Sequence, residues 1–286
     1  MSDRHFASLL GPTWPNRLFL FSATTCGYTE GADTNQGLTA DCGLKRDSIF
    51  TQMRDHNIPF KVYDESGLAS VSVGLGAVRG DVGPLVLPDT IERFERDARE
   101  DNLPRFAMVG ASTGQQRAWG LGGAPEDDDH PPSDVRKGQL FVHRVLSALT
   151  QNPETFRKTI VFITYDEHGG LYDHVPPPSA CEPEKSQTLT DYAFDRYGFR
   201  VPLLVVSAYV KKAGYVSHTV TDHTSITRFV EHWLRLPALS GRDANAWPLL
   251  DLFDFEREPL PPDLPDPPDV STPCTKIPAC LAGVRP

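Results

Sequence analysis

The chain has 286 residues, 39% of them hydrophobic and 23% charged, which is ordinary for a globular protein and enough for a large core in one or two domains. Its net charge of -10 argues against a nucleic-acid-binding surface and against docking on anionic lipid by charge alone. No apolar run approaches the roughly 20 residues of a membrane-spanning helix. Met1-Ser-Asp-Arg-His5 lacks signal-peptide character, and the 5 cysteines are widely spaced with no C-x-x-C pair, so the compartment stays open. In an oxidising compartment Cys274 and Cys280 are the pair placed to close a small loop.

Along the chain, Leu18 to Leu20 read as a short strand or helix after the turn at Gly11-Pro12. Ser48 to Asn57 read as a helix with Ile49, Phe50 and Met53 near one face, and Phe60 to Tyr63 as a strand after Pro59. Asp89 to Arg99 form a second helix, capped by Asp89 or Thr90, with Ile91, Phe94 and Ala98 on one side. Phe106 to Val109 make another apolar strand, followed by a polar, Gly-rich, acidic loop from Gly110 to Asp134. Gln139 to Thr150 form an amphipathic helix. Thr159 to Thr164 is a β-branched apolar run expected to be a strand buried on both faces, and Val201 to Val206 is a second such strand. Thr224 or Ser225 starts a helix over Ile226 to Leu234, and the Pro-rich acidic residues 257–286 form a tail after a domain over residues 1–256. Strands alternating with helices predict an α/β sandwich.

The richest stretch follows Thr164. Asp166, Glu167 and His168 stand at the carboxyl end of a strand, where open α/β sheets place their ligands. Gly169 and Gly170 allow a tight turn that brings Asp173 and His174 back toward the same place. Two carboxylates with imidazoles suit a metal ion or a phosphate held by one. Three more pieces are candidates for the same pocket. Gly11-Pro-Thr-Trp-Pro-Asn-Arg17 offers the Thr13 hydroxyl as a nucleophile beside Asn16 and Arg17 as donors for a phosphoryl group. Asp129-His130-Pro-Pro132 lies in the acidic loop, and Asp222-His223-Thr-Ser225 precedes the last helix.

In this order the pieces resemble the phosphoesterase family of bacterial and plant phospholipases C and related acid phosphatases. The resemblance runs to about Phe255 and includes Leu103-Pro104, Phe199-Arg-Val-Pro202, Arg242-Asp243-Ala244 and Phe253-Asp254-Phe255. It implies an alkaline-phosphatase-like α/β sandwich around a central, mostly parallel sheet. It implies Thr13 as the nucleophile that forms a phospho-threonine, and Asp166 and Glu167 as the acidic pair binding a divalent metal (Ca, Mn, Mg or Zn). His130 then contacts the phosphate or assists the leaving group, and Asn16, Arg17 and His223 bind substrate. His168 and His174 are ligand, acid or supporting groups in the same pocket. The implied substrate is a phospholipid or a small phosphate ester, with no nucleic-acid partner and at most transient contact with a membrane surface.

The chain departs from the family in one respect: a Glu-Asn-Arg-Ser-Phe-like segment upstream of the nucleophile has no counterpart here. The expectation is therefore an N-terminally truncated enzyme that lacks a first strand and part of its metal site. The competing readings are an acid phosphatase acting on phosphomonoesters and a truncated, non-catalytic binding module. A purely structural role would leave His130, Asp166, Glu167 and His223 far apart in the fold.

Overall fold

A computed structural model of the chain describes residues 1–25, 27–29, 48–64, 89–112, 126–183 and 193–271. Cys26, Cys42, Cys274 and Cys280 and most of the acidic loop lie outside the described residues.

Most of the helices start where a side chain caps them, the first being an exception. Helix α1 covers Thr13–Ser22, resolving the strand-or-helix choice around Leu18, and α2 covers Ile49–Asp55. Ser48 caps α2 in a reciprocal box with Thr51. Helix α3 (Ile91–Arg99) is capped by Thr90. Helix α4 (Val135–Thr150) begins one turn earlier than its apolar pattern suggests, because Asp134 accepts from the Arg136 N–H and caps it there. A short helix α5 (Pro153–Arg157), with Asn152 as its cap and proline at its first position, follows directly. Helix α6 (His223–Leu234) starts three residues before Ile226, and α7 (Gly241–Ala244) is a single turn.

Among the described residues six strands form three pairs. β1 (His5–Phe6) runs parallel to β6 (Thr221–Asp222), and β2 (Phe60–Asp64) runs parallel to β3 (Phe106–Gly110). Helix α3 makes the crossover that a parallel β2–β3 pair requires. β4 (Ile160–Thr164) and β5 (Leu203–Ser207) are antiparallel, with Ile160 opposite Ser207 and Thr164 opposite Leu203. No crossover helix lies among the described residues between them, so the chain returns antiparallel there, against the expectation of a mostly parallel sheet.

β4 is half-buried at all five positions, not buried on both faces. Its sequence is apolar throughout because both faces touch core. Ile160 and Phe162 pack on Leu203, Ile226, Phe229, Leu249, Leu252 and Phe253, while Val161 packs toward Tyr63, Ile91, Phe94 and Leu149. Among the described residues β4 is paired on one side only. In β5, Leu204 is 42% exposed. A third cluster joins Phe21 of α1 to Ile49, Phe50 and Met53 of α2, Val62 of β2 and Leu236, each such side chain contributing about 1.5–3 kcal/mol by leaving water.

Residues 257–271 contain no helix or strand. They follow the surface: Leu260 N–H donates to the Ala208 carbonyl, and Arg257 to those of Val210 and Lys211. No helix among the described residues is long and apolar enough to cross a membrane.

Candidate active site

Thr13 is the first residue of α1, half-buried, after an extended Pro12. No side chain caps this helix, its first turn contains no acidic residue, and Pro15 has no N–H. The first amides of a helix have no intrahelical acceptor, so the N–H groups of Thr13 and Trp14 are suited to an anion. Asn16, by contrast, is fully buried and spent on its own backbone. Its Oδ1 accepts from Leu9 N–H (3.1 Å), and its Nδ2 donates to the carbonyls of Gly11 (2.9 Å) and Pro12 (3.1 Å). It shapes the loop that delivers Thr13, where the sequence reading gave it to the substrate.

Arg17 sits one turn after Thr13 on the same helix face. Its Nε donates to Asp166 Oδ2 at 2.7 Å, tying the start of α1 to the turn after β4. Burial pushes the Asp166 carboxyl up, but the charge and hydrogen bond of Arg17, with His223 adding to them, outweigh it and hold Asp166 below the usual carboxylate range. Next to it, Glu167 Oε2 accepts from Gly169 N–H (2.8 Å). Gly169 and Gly170 have φ of +66° and +71°, the left-handed conformation that glycine adopts without strain. The tight turn expected of them is present. A Cβ on Gly169 would press on Pro131 at 3.0 Å, so the loop bearing His130 lies against this turn.

The two glycines bring Asp173 back, but not His174. Asp173 lines a cavity of about 420 Å³ together with Glu167, His168, Tyr172, Phe199 and Arg200. Arg200 holds its carboxylate with two hydrogen bonds (2.7 and 2.9 Å), keeping the group far below its ordinary range. The His174 side chain is 83% exposed, with Nδ1 3.5 Å from Asp173 Oδ1, and does not line the cavity. The His168 ring packs edge-on to Phe199, and its Nδ1 is buried without a hydrogen-bond partner, 3.5 Å from Glu167 Oε2. His130 is exposed, with Nδ1 donating to the Pro131 carbonyl at 2.8 Å, which leaves Nε2 as its outward nitrogen.

His223 is buried, and Asp222 has no exposure at all. The His223 Nδ1 accepts from Ser8 N–H (3.3 Å) and its Nε2 donates to the Tyr165 carbonyl (2.9 Å). Burial lowers its pKa, and the Tyr165 carbonyl and the charges of Asp222 and Asp166 do not make up the difference. His223 is therefore a neutral imidazole that anchors the strand end, in contact with backbone where the sequence suggested substrate. The sequence named Asp222 within its motif without a role, and did not single out Ser8. Asp222 stands beside His223 in the same motif, but nothing in a linear pattern shows that Ser8, more than 200 residues away, closes on both. Arg242 is fully buried between Phe19 and Tyr197 (4.8 and 5.1 Å to the ring centres) and donates to the carbonyls of Ser8, Phe194 and Cys181.

Asp166, Glu167, His223 and the Thr13 helix are thus brought to one place, with the His130 loop at its edge; His174 is not. For a divalent metal the fit is incomplete. Among the described residues no group of three His, Cys, Asp or Glu side chains is arranged to hold a metal ion, and Arg17 already pairs with Asp166. Asp166 and Glu167 would supply two carboxylates, short of a coordination sphere.

Three relatives illustrate what the chain is similar to. The non-specific phospholipase C6 of Arabidopsis thaliana is 31% identical over 99% of this chain and 52% of its own length. Non-specific phospholipase C5 of the same plant is 33% identical over 85% of this chain and 47% of its own. The non-hemolytic phospholipase C of Pseudomonas aeruginosa is 28% identical over 92% of this chain and 42% of its own. The chain spans about half the length of these curated relatives. A sequence profile described as the Phosphoesterase family matches residues 1–237, the span that holds Thr13, the acidic turn and His223, and the chain belongs to that family.

Proposed function

We propose that the chain hydrolyses phosphate esters by the chemistry of a phospholipase C, acting on glycerophospholipids with Thr13 as nucleophile. The observation that carries this reading is the 2.7 Å bond from Arg17 to Asp166, which joins the helix start bearing Thr13 to the acidic strand end. The names of the relatives, all phospholipases C, point to the same substrate class.

In this reading the phosphate sits on the uncapped first turn of α1, where the amide dipoles favour negative charge. Thr13 Oγ attacks phosphorus as the ester bond to the diacylglycerol oxygen breaks, and the head-group phosphate is left on threonine. Arg17, one turn on, supplies positive charge for the oxygens that gain charge in the transition state. In this reading His130 Nε2, bare because Nδ1 holds the ring proton, takes the Thr13 proton and gives it to the diacylglycerol oxygen as that oxygen leaves. It then takes a proton from the attacking water, whose oxygen bonds to phosphorus as the Thr13 ester breaks, and returns it to Thr13 as the phosphorylated head group departs. Asn16 keeps the loop from Leu9 to Pro12 in the shape that aims Thr13. The elements fit an alkaline-phosphatase-like sandwich; the parallel β1–β6 and β2–β3 pairs support it, and the antiparallel β4–β5 pair is the departure.

A divalent metal at Asp166 and Glu167 belongs to the proposal only as a partner that displaces Arg17 from Asp166 and takes further donors from outside the described residues. No step above depends on it. Calorimetric titration with Ca²⁺, Mn²⁺, Mg²⁺ and Zn²⁺ tests it: binding that Asp166→Asn abolishes is the expected result, and no binding to folded protein removes the metal from the account.

The functional test is hydrolysis of p-nitrophenyl phosphorylcholine and p-nitrophenyl phosphate side by side. Faster turnover of the diester is expected. Preference for the monoester would make the chain a phosphatase, and no turnover by folded protein would favour a binding module.

A further inference from the structure

We infer that Ser8 is a positioning residue for this site, an inference that rests on Thr13 being the nucleophile. Ser8 has no solvent exposure and lies five residues before Thr13, yet its contacts reach across the fold to the start of α6. Its hydroxyl donates to Asp222 Oδ2 at 2.8 Å, and its backbone N–H donates to His223 Nδ1 at 3.3 Å, the hydroxyl oxygen lying 3.1 Å from the same nitrogen.

These contacts fix the tautomer of His223. A backbone N–H can only donate and a carbonyl can only accept. Nδ1 is therefore the bare nitrogen, and the ring proton is on Nε2, directed at the Tyr165 carbonyl 2.9 Å away. Tyr165 immediately precedes Asp166, and Asp166 is held by Arg17 at 2.7 Å, one helical turn from Thr13. The contacts form a closed ring from Ser8 through His223, the Tyr165 carbonyl, Asp166 and Arg17 back to the helix that follows Ser8. Leu9, the next residue, is tied to the same helix through Asn16.

The ring explains why a buried serine stands here. Asp222 has two other partners, the Thr224 hydroxyl at 2.6 Å and Arg242 Nη1 at 3.7 Å. Thr224 approaches from α6, and Arg242 from α7, where the same Nη1 also donates to the Ser8 carbonyl at 3.0 Å. The Ser8 hydroxyl makes the direct, short bond from the loop that carries the nucleophile to Asp222. Without it, Ser8 keeps its backbone contacts to His223 Nδ1 and Arg242 Nη1, but the Asp222 carboxylate no longer holds the loop directly and Thr13 is set less tightly against the acidic turn.

The test has two independent arms. In the wild-type protein, ¹⁵N–¹H NMR of the imidazoles should show His223 as the Nε2–H tautomer with a slowly exchanging proton. In Ser8→Ala that proton should exchange faster, while kcat on p-nitrophenyl phosphorylcholine falls about 10- to 100-fold with KM little changed, as for a misplaced but still bound reacting pair. An Nδ1–H tautomer in the wild type overturns the inference, and so does a folded Ser8→Ala protein with wild-type kcat. If Ser8→Ala fails to fold, the wild-type tautomer decides. If the wild type has no turnover, the Thr13 reading has failed, and the proton exchange of His223 in the variant still decides whether Ser8 holds the ring.

Discussion

Thr13, Asn16 and Arg17 are adjacent in sequence but do different physical work, and their substitutions should separate accordingly. The Thr13 hydroxyl has no hydrogen-bond partner among the described residues, so Thr13→Ala should abolish turnover and leave the melting temperature within about a degree or two of wild type, as for a surface change without lost bonds. Asn16→Ala removes three buried hydrogen bonds to backbone and should cost about 2–4 kcal/mol by urea unfolding, since stranded buried polar groups are penalised individually. An unchanged unfolding midpoint in that variant would return Asn16 to the substrate. The residue types of this motif were legible in the sequence, and so was the acidic turn. Their division of labour was not, because hydrogen-bond partners such as Leu9 N–H for Asn16, or Tyr165 O for His223, are backbone groups that a side-chain pattern does not display.

At the scale of elements, the glycine turn after β4 and the start of α4 are two places beside the site where a single methyl group should tell. Gly169 has a left-handed φ and faces Pro131, so Gly169→Ala should destabilise the protein by about 1–2 kcal/mol through backbone strain. It should also lower activity more than stability, because it shifts Glu167 and the His130 loop together. Gly138 in α4 lets the Asp129 carboxylate lie against the helix, where an added Cβ would overlap it. Gly138→Ala should displace Asp129 from its bond with the Tyr165 hydroxyl (2.7 Å) and cost about 1–3 kcal/mol as overpacking. Glycine in mid-helix is otherwise unfavourable, so a more stable Gly138→Ala protein would contradict this reason for its presence. Helices α2, α3 and α4 were readable from apolar spacing, and α3 also from its cap. β1 and β6, two residues each, carry no periodicity to read, and the antiparallel sense of β5 depends on how the chain returns, which hydrophobic pattern does not encode.

At the scale of the whole molecule, one buried pair makes stability depend on pH. Glu231 in α6 and Asp243 in α7 are both fully buried, and Glu231 Oε1 has no donor in reach. Burial, then the hydrogen bond and charge of Asp243, push the Glu231 carboxyl up to about 9. The folded chain thus holds a proton that the unfolded chain, with an ordinary value of 4.5, releases. The sign follows: this contribution is complete below about pH 4.5 and stability falls as pH rises from there toward 9, with a slope of up to about 1.4 kcal/mol per pH unit. Glu231→Gln keeps a donor toward Asp243 and should flatten the profile of unfolding midpoint against pH. A wild-type protein that gains stability across that window would show that Glu231 is ionised in the fold. The same scale gives the site its frame: α1 and α6 both begin at it, one presenting Thr13 and the other His223, while the core beneath them is shared through Phe21, Leu20 and Phe229.

The central claim is covalent, and a covalent species can be weighed. The protein would be mixed with p-nitrophenyl phosphorylcholine, quenched in acid within the first turnovers, digested and examined by mass spectrometry. A phosphorylcholine group on Thr13, absent from Thr13→Ala, is the predicted result. Turnover of the same substrate with Thr13 unmodified, or with the group on another residue, would contradict it.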